Sequence, residues 1–327
     1  MEEIMANFTA AVIQAASVPF DSKSSTKKAC KLIAEGAQMG AKLLVFPEAF
    51  ISSYPKGLDF GARVGLRFPK GISDFGRYWK SAIEVPGPET KMIEAATKKN
   101  RVHVAIGVIE RDIGTLYCTV LFFSPKGELM GKHRKLMPTA MERLIWGFGD
   151  GSMMPVFKTP IGRIGSVICW ENYMPLLRMT MYSKGIQLYC AITADDRDSW
   201  LPTMQHIAME GRCFVFSSVQ YIKRSSYPKD FATVLGDDPE TVLIRGGSCI
   251  ISPFGQYLAG PDYNGECILT AEIDLDEIAK GKYDLDVVGH YARPDIFRLY
   301  VNEQATPSVV LKSAEIGNPF MDEKKKP

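Results

Sequence analysis

The 327-residue chain is 46% hydrophobic and 23% charged, an ordinary globular composition with enough apolar material for a large core. Its formal net charge of +2 sets up no field of the kind that gathers nucleic acid or an acidic membrane surface. Apolar runs fall short of the roughly 18 residues of a membrane span, and the acidic start MEEIMANF lacks the features of a secretory signal. A cytoplasmic protein without nucleic-acid or membrane partners is therefore expected.

Strands alternate with helices along the chain. TAAVIQAA (9–16) reads as a buried strand. Ser24 or Ser25 caps the helix that follows, with Ala29, Leu32, Ile33 and Ala37 on one face and Gly40 at its end. KLLVFPE (42–48) is a second buried strand, ending at Glu48. The stretch 50–80, rich in Gly, Pro and aromatics, reads as a loop or partner surface. A helix over about 88–100 leads into the strand VHVAIGVIE (102–110). LYCTVLFFS and LMGKHRK flank the turn PKGE as a hairpin. GRIGSVICW (162–170) is a strand, followed by a helix from Pro175 to about Lys184 and the strand IQLYCAI (186–192). A helix over about 200–211 precedes CFVFSSVQ (213–220). GGSCIIS and GECILTAEID, around PFGQ, read as a second hairpin. The tail from about 303 to 327 closes on DEKKKP and is expected to be disordered. This order gives an α/β class with a mixed sheet, and two sheets with helices packed outside would fit it.

Seven cysteines occur, none in a C-x-x-C pair, which argues against a zinc ribbon or dithiol site. Cys118, Cys190 and Cys249 sit in apolar runs and read as reduced, buried thiols. Cys169 differs, because it ends an apolar strand just before WENYMP, with Pro175 placed to open a helix. Such a turn presents backbone N–H groups that lower a thiol pKa and cradle an oxyanion. Taken alone, Cys169 reads equally as one more buried cysteine. Glu48 directly follows an apolar strand, where an unpaired carboxylate is costly and where α/β proteins bind ligands. It reads equally as an exposed loop residue. Lys135, in GKHRKLMPT, by itself reads as part of a solvated basic stretch.

The other polar candidates read more plainly. His103 is a core residue, and His133, two residues before Lys135, faces the same way on an extended strand. His206 lies on a helix and His290 in VGHYARP, and none has a clear reason to act as a base. Asp195, Asp196 and Asp198 do not continue into a calcium loop and read as a solvated loop near a pocket mouth.

KLLVFPEAF, KHRKLMPT and ICWENYMP, in that order, resemble the three signatures of the nitrilase (carbon–nitrogen hydrolase) superfamily. MERLIWGFGDGS, GGSCIISPFGQYLAGP and DVVGHYARPD resemble its nitrilase branch, closest to the plant enzymes, including β-cyanoalanine nitrilases, and their bacterial relatives. The resemblance runs from about residue 8 to about 302 and implies one domain over 1–327 with a four-layer α-β-β-α sandwich. It further implies Cys169 as nucleophile, Glu48 as general base, Lys135 as electrostatic stabiliser and Glu142 beside them. Tyr54, Trp170, Thr193 and Ala194 would line the substrate pocket. A small-molecule nitrile would be the substrate, no metal or organic cofactor is needed, and a homodimer or longer spiral filament is implied. An amidase of the same superfamily, or a non-catalytic assembly protein, are the competing readings.

Overall fold

The computed structural model describes residues 5–231 and 233–310. In chain order the elements are β1 (Asn7–Gln14), α1 (Ser22–Gln38), β2 (Ala41–Val45), the small strands β3 (Ala62–Arg63) and β4 (Leu66–Arg67), α2 (Pro69–Ser81) and α3 (Pro88–Asn100). Then come β5 (His103–Asp112), β6 (Thr115–Phe123), β7 (Leu129–Arg134), β8 (Val156–Thr159), β9 (Gly162–Ile168), α4 (Pro175–Ser183), β10 (Leu188–Thr193) and α5 (Trp200–Gly211). The chain continues with β11 (Phe214–Val219), β12 (Tyr221–Lys223), β13 (Val242–Arg245), β14 (Ser248–Ile251), β15 (Tyr257–Asp262), β16 (Cys267–Asp274) and α6 (Asp276–Lys282).

Two six-stranded sheets dominate the described residues, in the orders β16-β1-β2-β5-β6-β7 and β15-β14-β11-β10-β9-β8. Both are mixed: β1, β2 and β5 run parallel, as do β9, β10 and β11, while the outer strands pair antiparallel. Alternation along each strand makes the layers. On β1, Ala10 and Val12 join a core shared with Ile168, Leu188, Ile192, Phe214 and Phe216 of the second sheet. Ala11 and Ile13 face the other way, against Ala29 and Ile33 of α1 and Ile93 of α3. On the second sheet, Val167, Tyr189 and Val215 turn outward to Leu177 and Met181 of α4 and Met204 and Ile207 of α5. The result is the α-β-β-α sandwich. Strands covered on both faces are apolar throughout, which is why they read as continuous runs.

The structure corrects three local expectations. The α1 cap is Asp21, whose carboxylate accepts from Ser24 N, rather than Ser24 or Ser25. The stretch 50–80 holds a helix, α2, opened by Pro69. Gly71 obscures it in sequence, yet a Cβ there would lie 1.9 Å from the Phe60 carbonyl oxygen, so the glycine serves packing. The second hairpin is β14–β15; GECILTAEID forms β16 and pairs with β1 in the other sheet. Two apolar strands close in sequence carry no mark of which sheet they join. The hairpin β6–β7 is as expected. Of the expected tail, residues 303–310 are irregular and exposed, and 311–327 lie outside the described residues. No described helix is long and apolar enough to cross a membrane.

Candidate active site

Cys169 follows β9 directly and adopts φ +52°, a left-handed conformation unusual for a residue with a side chain. The chain then enters a short 3₁₀ turn, Cys169–Tyr173, and α4 starts at Pro175. The Asn172 amide donates to the Cys169 carbonyl at 2.7 Å, which holds the turn. The thiol is buried and receives a hydrogen bond from the Thr193 hydroxyl at 3.2 Å. That hydroxyl in turn accepts from Asp195 N at 2.9 Å, so it is free to point its proton at sulfur.

Glu48, three residues past β2, and Lys135, just past β7, are both fully buried. The Lys135 ammonium donates to Glu48 Oε1 at 2.8 Å and to Glu142 Oε2 at 2.7 Å. Its Nζ also lies 5.4 Å from the centre of the Trp146 ring. The second Glu48 oxygen accepts from Ala194 N at 2.8 Å, and the Cys118 thiol lies 3.4 Å from the first. Gln220 donates to the Glu48 carbonyl at 3.0 Å. Tyr54 donates to Glu142 Oε1 at 2.7 Å, and its ring stands edge-on to Trp146. Two carboxylates thus share one ammonium, with the Tyr54 and Trp146 rings beside them.

Charge in this buried space is strongly perturbed. Burial pushes the Glu48 carboxyl above its ordinary range, and the charge of Glu142 adds to this while Lys135 opposes it. Burial disfavours the Lys135 cation, but Glu48, Cys169 and Glu142 outweigh it and hold the ammonium well above its usual value. Burial and the Glu48 carboxylate push the Cys169 thiol up, against Lys135. The expectation of a lowered thiol pKa at the turn differs from this: burial and the nearby carboxylates outweigh Lys135 and the Thr193 hydroxyl. A protonated thiol needs a base, and a carboxylate with a raised pKa is matched to that task.

A cleft of about 300 Å³ reaches the cluster at Tyr54 and Glu142, with Leu58, Phe60, Leu144 and Ile145 among its walls. Of the expected substrate contacts, Tyr54 lines it. Ala194 instead spends its N–H on Glu48, and Thr193 its hydroxyl on Cys169. The Trp170 indole donates to Asp195 at 2.8 Å and carries the Arg197 guanidinium on its face. The three aspartates of the 195–198 loop are engaged in ion pairs: Asp195 with Arg197, Asp196 with Lys56, and Asp198 with Arg245. Sequence reasoning missed Cys118, Trp146 and Gln220 as neighbours of the cluster: Cys118 sits on β6, Gln220 just past β11, and Trp146 four residues after Glu142. It also set aside His133, which is fully buried and bonded to Glu171 at 2.9 Å.

Comparison with known proteins identifies the family. The carbon–nitrogen hydrolase profile matches residues 9–283. A nitrilase of Bradyrhizobium diazoefficiens is 59% identical over 307 residues, covering 94% of this chain and 96% of that one. A bifunctional nitrilase/nitrile hydratase of Lupinus angustifolius is 53% identical over 310 residues, 93% of this chain and 89% of its own. Among solved structures, the C. elegans NitFhit protein superposes with a TM-score of 0.72 at 20% identity, over 95% of this chain and 71% of that one, and it shares the fold. The chain belongs to the carbon–nitrogen hydrolase family, the nitrilase superfamily.

Proposed function

We propose that this enzyme hydrolyses an organic nitrile to the carboxylic acid and ammonia, with Cys169, Glu48 and Lys135 carrying the reaction and Glu142 holding the lysine. Glu48 takes the thiol proton as Cys169 sulfur attacks the nitrile carbon. The nitrile nitrogen accepts that proton, giving a thioimidate. A water adds, Glu48 again moving a proton from it to nitrogen, and the tetrahedral adduct's O–H proton follows to the amine as the C–N bond breaks, the C=O of the thioester forms and ammonia leaves. A second water hydrolyses the thioester and restores the thiol. Lys135 and Trp170 N stabilise charge on the nitrile nitrogen and then on oxygen. The single observation that supports this most is the buried ammonium shared by two carboxylates beside the strained Cys169 turn. The identity to proteins named nitrilases supports the nitrile over a carboxamide as substrate.

The cleft supports a small substrate. Its apolar walls suit an aromatic or arylaliphatic nitrile, while Lys56 and Asp59 on its rim suit the charged ends of β-cyanoalanine. The test offers a panel of nitriles and their matching amides and measures acid, amide and ammonia together, with the Cys169→Ala variant alongside. Acid and ammonia from a nitrile, lost in a folded Cys169→Ala, are expected. Turnover of the amides alone would favour the amidase, and substantial hydrolysis by Cys169→Ala would refute the assignment.

The same reading takes the chain as one domain, cytoplasmic, and a homodimer or longer spiral. Seven free cysteines suit a reducing compartment. Exposed Tyr291, Phe297 and Tyr300 offer apolar area for subunit contact. Light scattering after size exclusion measures the assembly.

A further inference from the structure

We propose that Glu171, with His133 as its cation, is a positioning residue that holds the Cys169 turn and the Lys135 segment in register; this rests on the reading of Cys169 and Lys135 given above. The Glu171 carboxylate is 1% exposed and touches neither the cleft nor the two reacting side chains. One oxygen accepts from Leu136 N at 2.6 Å. The other accepts from Ile168 N at 2.6 Å and from His133 Nε2 at 2.9 Å. Leu136 is the residue after Lys135, and Ile168 is the residue before Cys169. One carboxylate therefore ties together the two backbone segments whose side chains must meet.

His133 completes the clamp. Its Nδ1 lies 2.6 Å from the Met153 carbonyl oxygen and its Nε2 faces Glu171. A carbonyl only accepts, and so does an ionised carboxylate, whose two oxygens also receive the Leu136 and Ile168 N–H groups, so both ring nitrogens donate and the ring is an imidazolium. Without that cation a fully buried carboxylate would be uncompensated. The clamp also bears on the strain at Cys169: Glu171 pins the N–H just before the turn, and Asn172 pins the carbonyl just after it. Holding the residue at positive φ aims its sulfur toward Thr193 and the charged cluster.

The test compares Glu171→Gln and His133→Gln with the parent enzyme, measuring kcat, KM and the pH profile of Cys169 alkylation by iodoacetamide, read by mass spectrometry. Glu171→Gln keeps the shape but surrenders the charge and one acceptor. A loss of register is expected to lower kcat by about 10²-fold with KM changed by less than about threefold. The alkylation midpoint should move upward by about half a pH unit or more, because the thiolate loses Lys135. A residue that merely stabilises the fold would lower the thermal midpoint and leave that profile in place. Folded Glu171→Gln with parental kcat and alkylation profile would overturn the clamp. Should that variant fail to fold, His133→Gln decides: it keeps an N–H donor to Glu171 without the cation, and parental kcat and profile there overturn the clamp equally. Activity surviving in Cys169→Ala would instead strike the reading beneath it, so the two failures are distinct.

Discussion

The backbone N–H of Ala194, just past β10 of one sheet, donates to the carboxylate of Glu48, which follows β2 of the other, at 2.8 Å. The carboxylate read as the general base thus bridges the two halves of the sandwich. Its orientation depends on how the sheets face each other, and this shapes what substitutions should do.

Glu48→Gln keeps the volume and an acceptor for Ala194 N but removes the base. kcat should fall about 10²–10⁴-fold, the range for a lost general base, while the protein stays folded. Steady-state ammonia release, with circular dichroism as the control, checks this. Near-parental kcat would reassign the base.

Lys135→Met leaves Glu48 and Glu142 facing each other without their shared cation. Breaking a buried pair this way costs about 3–5 kcal/mol, in addition to the lost activity. One carboxylate should then bind a proton in the folded state, so its folded pKa rises above its unfolded value. Stability is regained where that group is protonated, and the deficit grows as pH rises through the unfolded pKa. Urea melts at pH 5 and pH 8 should show the smaller deficit at pH 5.

The acid limb of kcat/KM reports the free enzyme's base. Burial lifts Glu48, with Glu142 adding to it, so activity should fall with decreasing pH well before the ordinary glutamate value of about 4.3. The resting Cys169 thiol is lifted too, so alkylation without substrate should rise with pH above the usual thiol range. An acid limb near 4.3 would show that the limb belongs to another group.

Gly107→Ala tests packing around the base. A Cβ there would lie 2.4 Å from the Pro47 carbonyl oxygen, 2.6 Å from Ala49 N and 2.7 Å from Glu48 Cα, all backbone. Overpacking should cost about 1–3 kcal/mol, and the displaced Glu48 should lower kcat by about 10²-fold. Gly114→Ala, which meets open space, should behave as the parent. Thermal melts and kcat on both variants make the comparison.

Tyr54→Phe keeps the ring against Trp146 and removes the hydrogen bond to Glu142. A bond to a charged group is worth about 1.5–3 kcal/mol, so kcat/KM should fall by about 10–100-fold. A fall confined to KM would mark Tyr54 as a substrate contact alone.

What the amino-acid sequence by itself determined is local. Apolar runs covered on both faces announced β1, β2, β9, β10 and β11, and Pro175 opened a helix where one stands, because strand burial and helix starts depend on near neighbours. The three signature segments, by their resemblance, pointed to Glu48, Lys135 and Cys169. The tertiary structure alone decided which sheet β16 joins, that α2 forms through the Gly71 contact, and that burial raises the Cys169 thiol rather than lowering it. It also brought Thr193 and Ala194 into hydrogen bonds with Cys169 and Glu48, and His133 into a buried pair with Glu171. Each of these depends on groups far apart in the chain, and desolvation is a property of what surrounds a side chain, which no stretch of sequence carries.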